Sequence, residues 1–135
     1  MKDFELHIVT PDGEFFEGRA EKLVVRTIEG DICILPRHTD FLTALGGGIC
    51  RLTADGETRI AACNGGMIAV LDGKVTLSAI TFEWQEEIDL KRAIKSKESA
   101  EKVLDNTTSG QERAMAEARL KRALVRINTI NRNHP

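Results

Sequence analysis

The chain changes character around Glu86, and that break limits what it can fold into more than any single motif does. Residues 1–86 read as short alternating strands with Gly-rich turns. Residues 87–135 are polar, rich in Ala and hold a single glycine, Gly110. The charge changes sign at the same place: 14 Asp+Glu against 8 Lys+Arg before the break, 7 against 11 after it. An acidic β module with a basic helical tail reads as a body fixed in place and an arm that reaches an acidic partner. With 135 residues the chain holds one ordinary domain and an appendage, assigned here to residues 1–86 and 87–135.

Composition excludes several classes. A pI near 5.9 argues against a nucleic-acid binder. No apolar run approaches the roughly 20 residues of a membrane helix, and the charged start is not a signal peptide, so any membrane association is expected through partners only. Cys33, Cys50 and Cys63 are odd in number and set among small or apolar residues; they read as buried free thiols of a reducing compartment, not as a metal site.

Within the first part, Phe4–Ile8 alternates apolar and polar as a half-buried strand does. Further strands are expected at Glu14–Arg19, Glu21–Thr27, Asp31–Leu35, Phe41–Ala44, Ile49–Thr53, Thr58–Cys63, Met67–Leu71 and Val75–Ile80. Pro11-Asp12-Gly13 marks a turn. Asp55-Gly56 and Asp72-Gly73 each fit a two-residue hairpin turn that needs positive φ twice. Nine or ten short strands leave no room for crossover helices, so the expected fold is an antiparallel β-sandwich or flattened barrel followed by a two-helix hairpin.

The segment Gly30-Asp31-Ile32-Cys33-Ile34-Leu35-Pro36-Arg37-His38, then Phe41-Leu42-Thr43-Ala44-Leu45, resembles the signature of the epsilon subunit of F-type ATP synthases. Asn64-Gly65-Gly66-Met67 and Val75-Thr76-Leu77-Ser78-Ala79 are similar to that family's entry into a late strand and to its last strand. The likeness runs from Phe4 to about Arg132, with the elements in order. On the residues alone, Ile32, Ile34 and Leu35 are core candidates, and Pro36 ends a ladder because it has no N–H. His38 reads as a turn residue, while His7 and His134 read as surface residues without helpers. Gly46-Gly47-Gly48 lacks the Lys-Ser/Thr and the following helix of a phosphate loop; it reads as a turn or as a surface where another chain's backbone approaches. No nucleophile elbow or metal-ligand spacing is present, so a non-catalytic role is expected.

In the second part, Asp89 to about Leu104 is dense in helix formers. Its apolar positions Leu90, Ala93, Ile94, Ala100, Val103 and Leu104 fall at helical spacings. Asp105-Asn106-Thr107-Thr108 ends it. Ser109-Gly110-Gln111-Glu112 has capping-box spacing and opens a second helix with Ala116, Leu120, Ala123, Leu124, Ile127 and Ile130 as its stripe. A seam made mostly of Ala gains little over its ordering entropy, so the hairpin is expected to be stable only when docked.

Ile88-Asp89-Leu90-Lys91-Arg92-Ala93 also resembles the Ile/Leu-Asp-x-x-Arg-Ala pattern by which some bacterial epsilon subunits bind ATP. That resemblance implies a regulatory ATP site built from Glu83, Ile88, Asp89, Arg92, Ala93, Arg122 and Arg126, with no cofactor required. Arg119, Arg122 and Arg126 share a helix face, and guanidiniums from both helices could clamp a triphosphate. The resemblance further implies a central-stalk subunit contacting gamma, the c-ring and the alpha and beta subunits, peripheral on the cytoplasmic side of the cell membrane. Glu29–His38 and Phe41–Gly48 are its candidate contact surfaces, and the helices would extend to inhibit ATP hydrolysis. The competing class is a stand-alone nucleotide-sensing module.

Overall fold

The computed structural model describes residues 2–132. Seven strands, not nine or ten, form one sheet: β1 Phe4–Thr10, β2 Gly13–Ala20, β3 Lys22–Thr27, β4 Gly30–Ile34, β5 Phe41–Ala54, β6 Glu57–Leu71 and β7 Lys74–Trp84. Their order is β2-β1-β7-β6-β5-β3-β4. All neighbouring pairs are antiparallel except β1 with β7, which run parallel, Leu6 opposite Val75 and Ile8 opposite Leu77. One apolar core draws residues from all seven strands, so the sheet closes on itself as a β-sandwich.

The surplus strands of the sequence reading come from a change of phase. In β5 the core-facing residues are Leu45 and then Cys50 and Leu52; in β6 Ala61 and Cys63, then Ile68 and Val70; in β7 Val75, Leu77 and Ala79, then Phe82 and Trp84. Odd and even positions exchange in all three strands along one line across the sheet. The pairing nevertheless continues through that line. Alternation is broken while the ladder is not, so Phe41–Ala44 and Ile49–Thr53 are halves of one strand, as are Thr58–Cys63 and Met67–Leu71. Flexible backbone sits at the fold line: Gly46–Gly48 in β5, and Gly65 (φ 73°) and Gly66 (φ 118°) in β6. The triple glycine is thus not a turn, and what approaches it is this chain's own β3 and α2: a Cβ on Gly48 would lie 2.6 Å from Arg26 Cβ, and one on Gly47 3.5 Å from Val125 Cγ2.

Gly66 allows no side chain at all, since a Cβ there would stand 1.9 Å from the Ser78 carbonyl oxygen. Gly66→Ala adds that clash to an unfavourable φ, and an expected loss of about 3 kcal/mol or more follows. The denaturant midpoint of the purified variant checks it; a midpoint within error of wild type would contradict the tight β6–β7 crossing.

Both two-residue hairpins have the expected turn, with Asp55 and Gly56 at φ 53° and 77° and Asp72 and Gly73 at 50° and 80°. Ile34 is fully buried and Ile32 packs at the core edge, but Leu35 is half exposed, because β4 ends at Ile34. His38 serves its turn, its N–H donating to the Leu35 carbonyl at 3.2 Å and its ring nitrogen lying 2.9 Å from the Thr39 carbonyl. Cys50 and Cys63 are buried, and burial pushes the Cys63 thiol up to about 12 and that of Cys50 well upward, which keeps both protonated. Cys33 is exposed instead, being on the solvent side of edge strand β4.

His7 is not a surface residue without helpers. Its ring nitrogens lie 2.7 Å from Glu5 and 3.0 Å from Glu14, with Glu17 at 4.0 Å. The hydrogen bonds to Glu5 and then Glu14 raise its pKa above the usual 6.5. A raised folded-state pKa stabilises fully below the unfolded value and the gain disappears as pH rises through the folded one. The melting temperature of wild type should therefore exceed that of His7→Gln below about pH 6.5 and lose that margin toward alkaline pH. A margin independent of pH would refute the charged pairing. His134 lies outside the described residues.

The tail is the expected hairpin. A 3₁₀ turn, Gln85–Glu87, leads to α1, Leu90–Asn106, and then α2, Gly110–Ile130. Ser109 Oγ accepts from the Glu112 N–H at 3.3 Å and starts α2. The seam is alanine on both sides: Ala93, Ala100, Ala116 and Ala123 are all buried. The long side chains assigned to the stripes fare differently, with Leu90, Ile94 and Leu124 each more than a third exposed. The small seam residues leave no depth for them. The hairpin is docked: α1 packs on α2, and α2 packs on β5, β6 and the 3₁₀ turn. This cover explains why Ile60 and Ala62, which point away from the sandwich core, are as buried as Ala61 and Cys63. No helix among the described residues is long and apolar enough to cross a membrane.

Candidate functional site

The Ile-Asp-x-x-Arg-Ala stretch has a local structural reason. Asp89 is the N-cap of α1, in extended backbone, and its carboxylate accepts the Arg92 N–H at 3.1 Å. Ile88 precedes the cap and Ala93 is the fourth helical residue, the positions of a hydrophobic staple. Asp89 therefore sits ahead of the helix and not on a helix face with Arg92. Fixing that first turn aims Arg92 across toward α2.

There it meets a cleft of about 450 Å³ lined by Glu83, Glu87, Asp89, Arg92, Ala93, Ser96, Arg119, Arg122 and Arg126. Six of the seven residues named from sequence thus line one cavity, drawn from β7, the N-cap of α1 and both helices. Ile88 is not among the lining residues; it caps the 3₁₀ turn and is half-buried. Glu87, Ser96 and Arg119 complete the wall. Ser96 stands one helical turn after Arg92, and Arg119 one turn before Arg122, so the periodicity carried the signal for both. Glu87 carries no such signal, because it belongs to the turn.

The cleft holds four guanidiniums against three carboxylates. Two of those carboxylates are already engaged: Glu83 accepts from Arg126 Nε in a partly shielded ion pair, and Asp89 caps α1. Arg119 Nε is buried and has no hydrogen-bond partner among the described residues. A buried guanidinium N–H left unmatched is costly, and a bound anion would satisfy it. Fork-shaped donors on two facing helices suit phosphate oxygens, while the carboxylates hold the forks in place or accept from hydroxyl and amino groups.

A latch beside the cleft has no sequence signal. Gln85 Nε2 donates to the Thr129 carbonyl at 2.8 Å and the Arg132 carbonyl at 2.6 Å, closing the end of α2 onto the sandwich across more than 40 residues of chain. With the Glu83–Arg126 pair, it ties the hairpin to the body next to the cleft.

Residues 3–85 match the family described as ATP synthase, Delta/Epsilon chain, beta-sandwich domain, and residues 86–131 match its long alpha-helix domain. The chain is similar along almost its whole length to ATP synthase epsilon chains. It is 38% identical over 133 residues to that of Caldicellulosiruptor bescii, covering 98% of this chain and 97% of the relative. It is 39% identical over 133 residues to that of Ruminococcus albus, covering 98% and 99%. The fold recurs in a chain of the Euglena gracilis mitochondrial ATP synthase, with TM-score 0.79 and 22% identity over 90% of this chain and 77% of that one. It also recurs in the central stalk and c-ring assembly of the Tetrahymena thermophila enzyme, with TM-score 0.64 and 15% identity over 93% and 95%. This chain belongs to the ATP synthase delta/epsilon chain family, and within it to the epsilon type of subunit.

Proposed function

We propose that this epsilon-type chain is a central-stalk rotor subunit that restrains ATP hydrolysis through its helices, with ATP as the regulatory ligand of the hairpin cleft. The carrying observation is the convergence of Arg92 with Arg119, Arg122 and Arg126. Those residues meet only while the two helices lie side by side. A ligand that needs all four binds the closed hairpin and not an extended arm, and so favours the closed state by its differential affinity. Residues 1–86 act as the body and 87–135 as the movable arm. The weak alanine seam and the few polar latches to the sandwich support release at modest cost.

The assemblies that contain chains of this fold are described as including a c-ring, which supports gamma and the c-ring as partners of the body and the alpha and beta subunits as partners of the arm. Exposed Ile28, Leu35 and Leu42, beside or within the Glu29–His38 and Phe41–Gly48 segments, supply apolar contact area for the body. The subunit then lies on the cytoplasmic side of the cell membrane, held there by its partners. Purification of the tagged chain from native membranes tests the assignment: recovery of gamma is the expected result, and a chain that binds ATP but brings no gamma would be a stand-alone sensor.

A further inference from the structure

A second cleft, of about 500 Å³, opens between the sandwich and another face of α2. Lys121, Val125 and Asn128 line it from α2, about a third of a turn around the helix axis from the arginines of the hairpin cleft, and Arg132 lines it from just past the end of α2. On the sandwich side Arg26 of β3 and Arg51 of β5 flank a floor made of Gly46, Gly47 and Gly48. Four cationic side chains thus face one space, three from β3, β5 and α2 and Arg132 from the segment after α2. Its single carboxylate, Asp31, is paired with Arg26 at 2.9 Å. Like charges gathered around a cleft repel until a counter-ion enters, and the cleft as it stands carries an excess of about three positive charges.

The floor is shaped for close approach. Across it the β3–β5 ladder breaks: between the pairs Val24–Arg51 and Thr27–Leu45, five residues of β5 stand opposite two of β3. Three of those five are glycines, so the floor is bare backbone; a Cβ on Gly48 would collide with the Arg26 stem. Among the described residues no aromatic side chain lines the cavity, and the carboxylates that mix with arginine in the hairpin cleft have no counterpart here beyond Asp31. These surroundings recognise charge and phosphate oxygens and offer little to a base or sugar.

We infer that this cleft is a second anion site that takes a polyphosphate group, and that its occupant ties α2 to the sandwich. Because its walls belong to both parts, it exists only while α2 is docked, and an anion bound there opposes undocking independently of the hairpin cleft.

Amide spectra of the full chain carrying Arg122→Ala and Arg126→Ala, which silences the hairpin cleft, provide the test. Sodium tripolyphosphate and ATP are titrated separately at about 0.15 M salt, where loose surface attraction is screened. Tripolyphosphate is expected to shift the Gly46, Gly47 and Gly48 resonances saturably. Adding Arg51→Gln and Lys121→Gln should weaken that response at least tenfold, with the remaining spectrum unchanged as proof of folding. Equal saturation by ATP would identify the phosphate chain of a nucleotide as a sufficient source, and a response to tripolyphosphate alone would identify an inorganic anion. No saturable shift at the three glycines, a shift that survives the added substitutions, or a response to ATP alone would overturn the proposal.

Discussion

Arg122→Ala together with Arg126→Ala is expected to abolish ATP binding at the hairpin cleft of the isolated chain. Each arginine supplies a charge-assisted contact of about 1.5–3 kcal/mol, so losing both costs roughly 10²–10⁴ in affinity. That moves a micromolar site beyond ordinary detection. The fold should survive, because Ala116 and Ala123 still form the seam and Val125 and Thr129 remain buried against the body. Removing Arg126 also leaves Glu83 without its partner, so a control is needed for loosened docking. Glu83→Gln serves, since it weakens the same latch while keeping every guanidinium. Calorimetry decides: the double variant should lose the hairpin-cleft binding and the part of any ATP-induced rise in melting temperature that depends on it, while Glu83→Gln keeps measurable binding. Unchanged affinity in the double variant would clear these arginines of a nucleotide role. If wild type shows no heat at millimolar ATP, the cleft serves an acidic partner surface instead.

Local rules carried much of this structure. The Asp-Gly hairpins, the Ser109 cap, the alanine seam and the arginine periodicity on α2 each depend on neighbours within a few residues, and each was legible. What escaped depends on distance. Strand continuity through Gly46–Gly48 and Gly65-Gly66 is decided by partners across the sheet, so a break in alternation looked like a strand end. The parallel β1–β7 pair joins segments some 70 residues apart, and no local pattern reports it. His7 was misread in part because Glu14 and Glu17 reach it from the neighbouring strand, joining Glu5 of its own strand. The same limit applies at the cleft. Asp89, Arg92 and Ala93 are marked by a short motif, and Arg119 by its spacing, but Gln85 gives no hint that it will hold the far end of α2. Exposed Leu90, Ile94 and Leu124 make a related point: an apolar residue at helical spacing is buried only if the partner surface has room for it.

Deleting residues 87–135 is expected to leave a folded body and to release ATP hydrolysis in the assembled complex. Every residue of the apolar core lies between Phe4 and Trp84, so the truncated chain keeps its whole interior. It loses the cover over Ile60, Ala62 and Asn64, and the partners of Gln85 and Glu83. Only one of those three uncovered side chains is a large apolar group, so at about 25 cal/mol per Å² the penalty is a small part of the domain's stability. A cooperative thermal transition, shifted down by several degrees, is the expected signature. Binding to gamma should persist if the body carries that surface. Hydrolysis by the complex with the truncated subunit should be at least as fast as with the intact one, because the arm proposed to obstruct it is gone. The two readouts fail separately. A non-cooperative melt would mean that α2 is part of the body and not an appendage, since the sandwich would then need its cover to fold. A clear fall in hydrolysis with a normal melt would mean that the helices assist the rotor instead of restraining it, and would end the inhibitory reading while leaving the fold and the family intact.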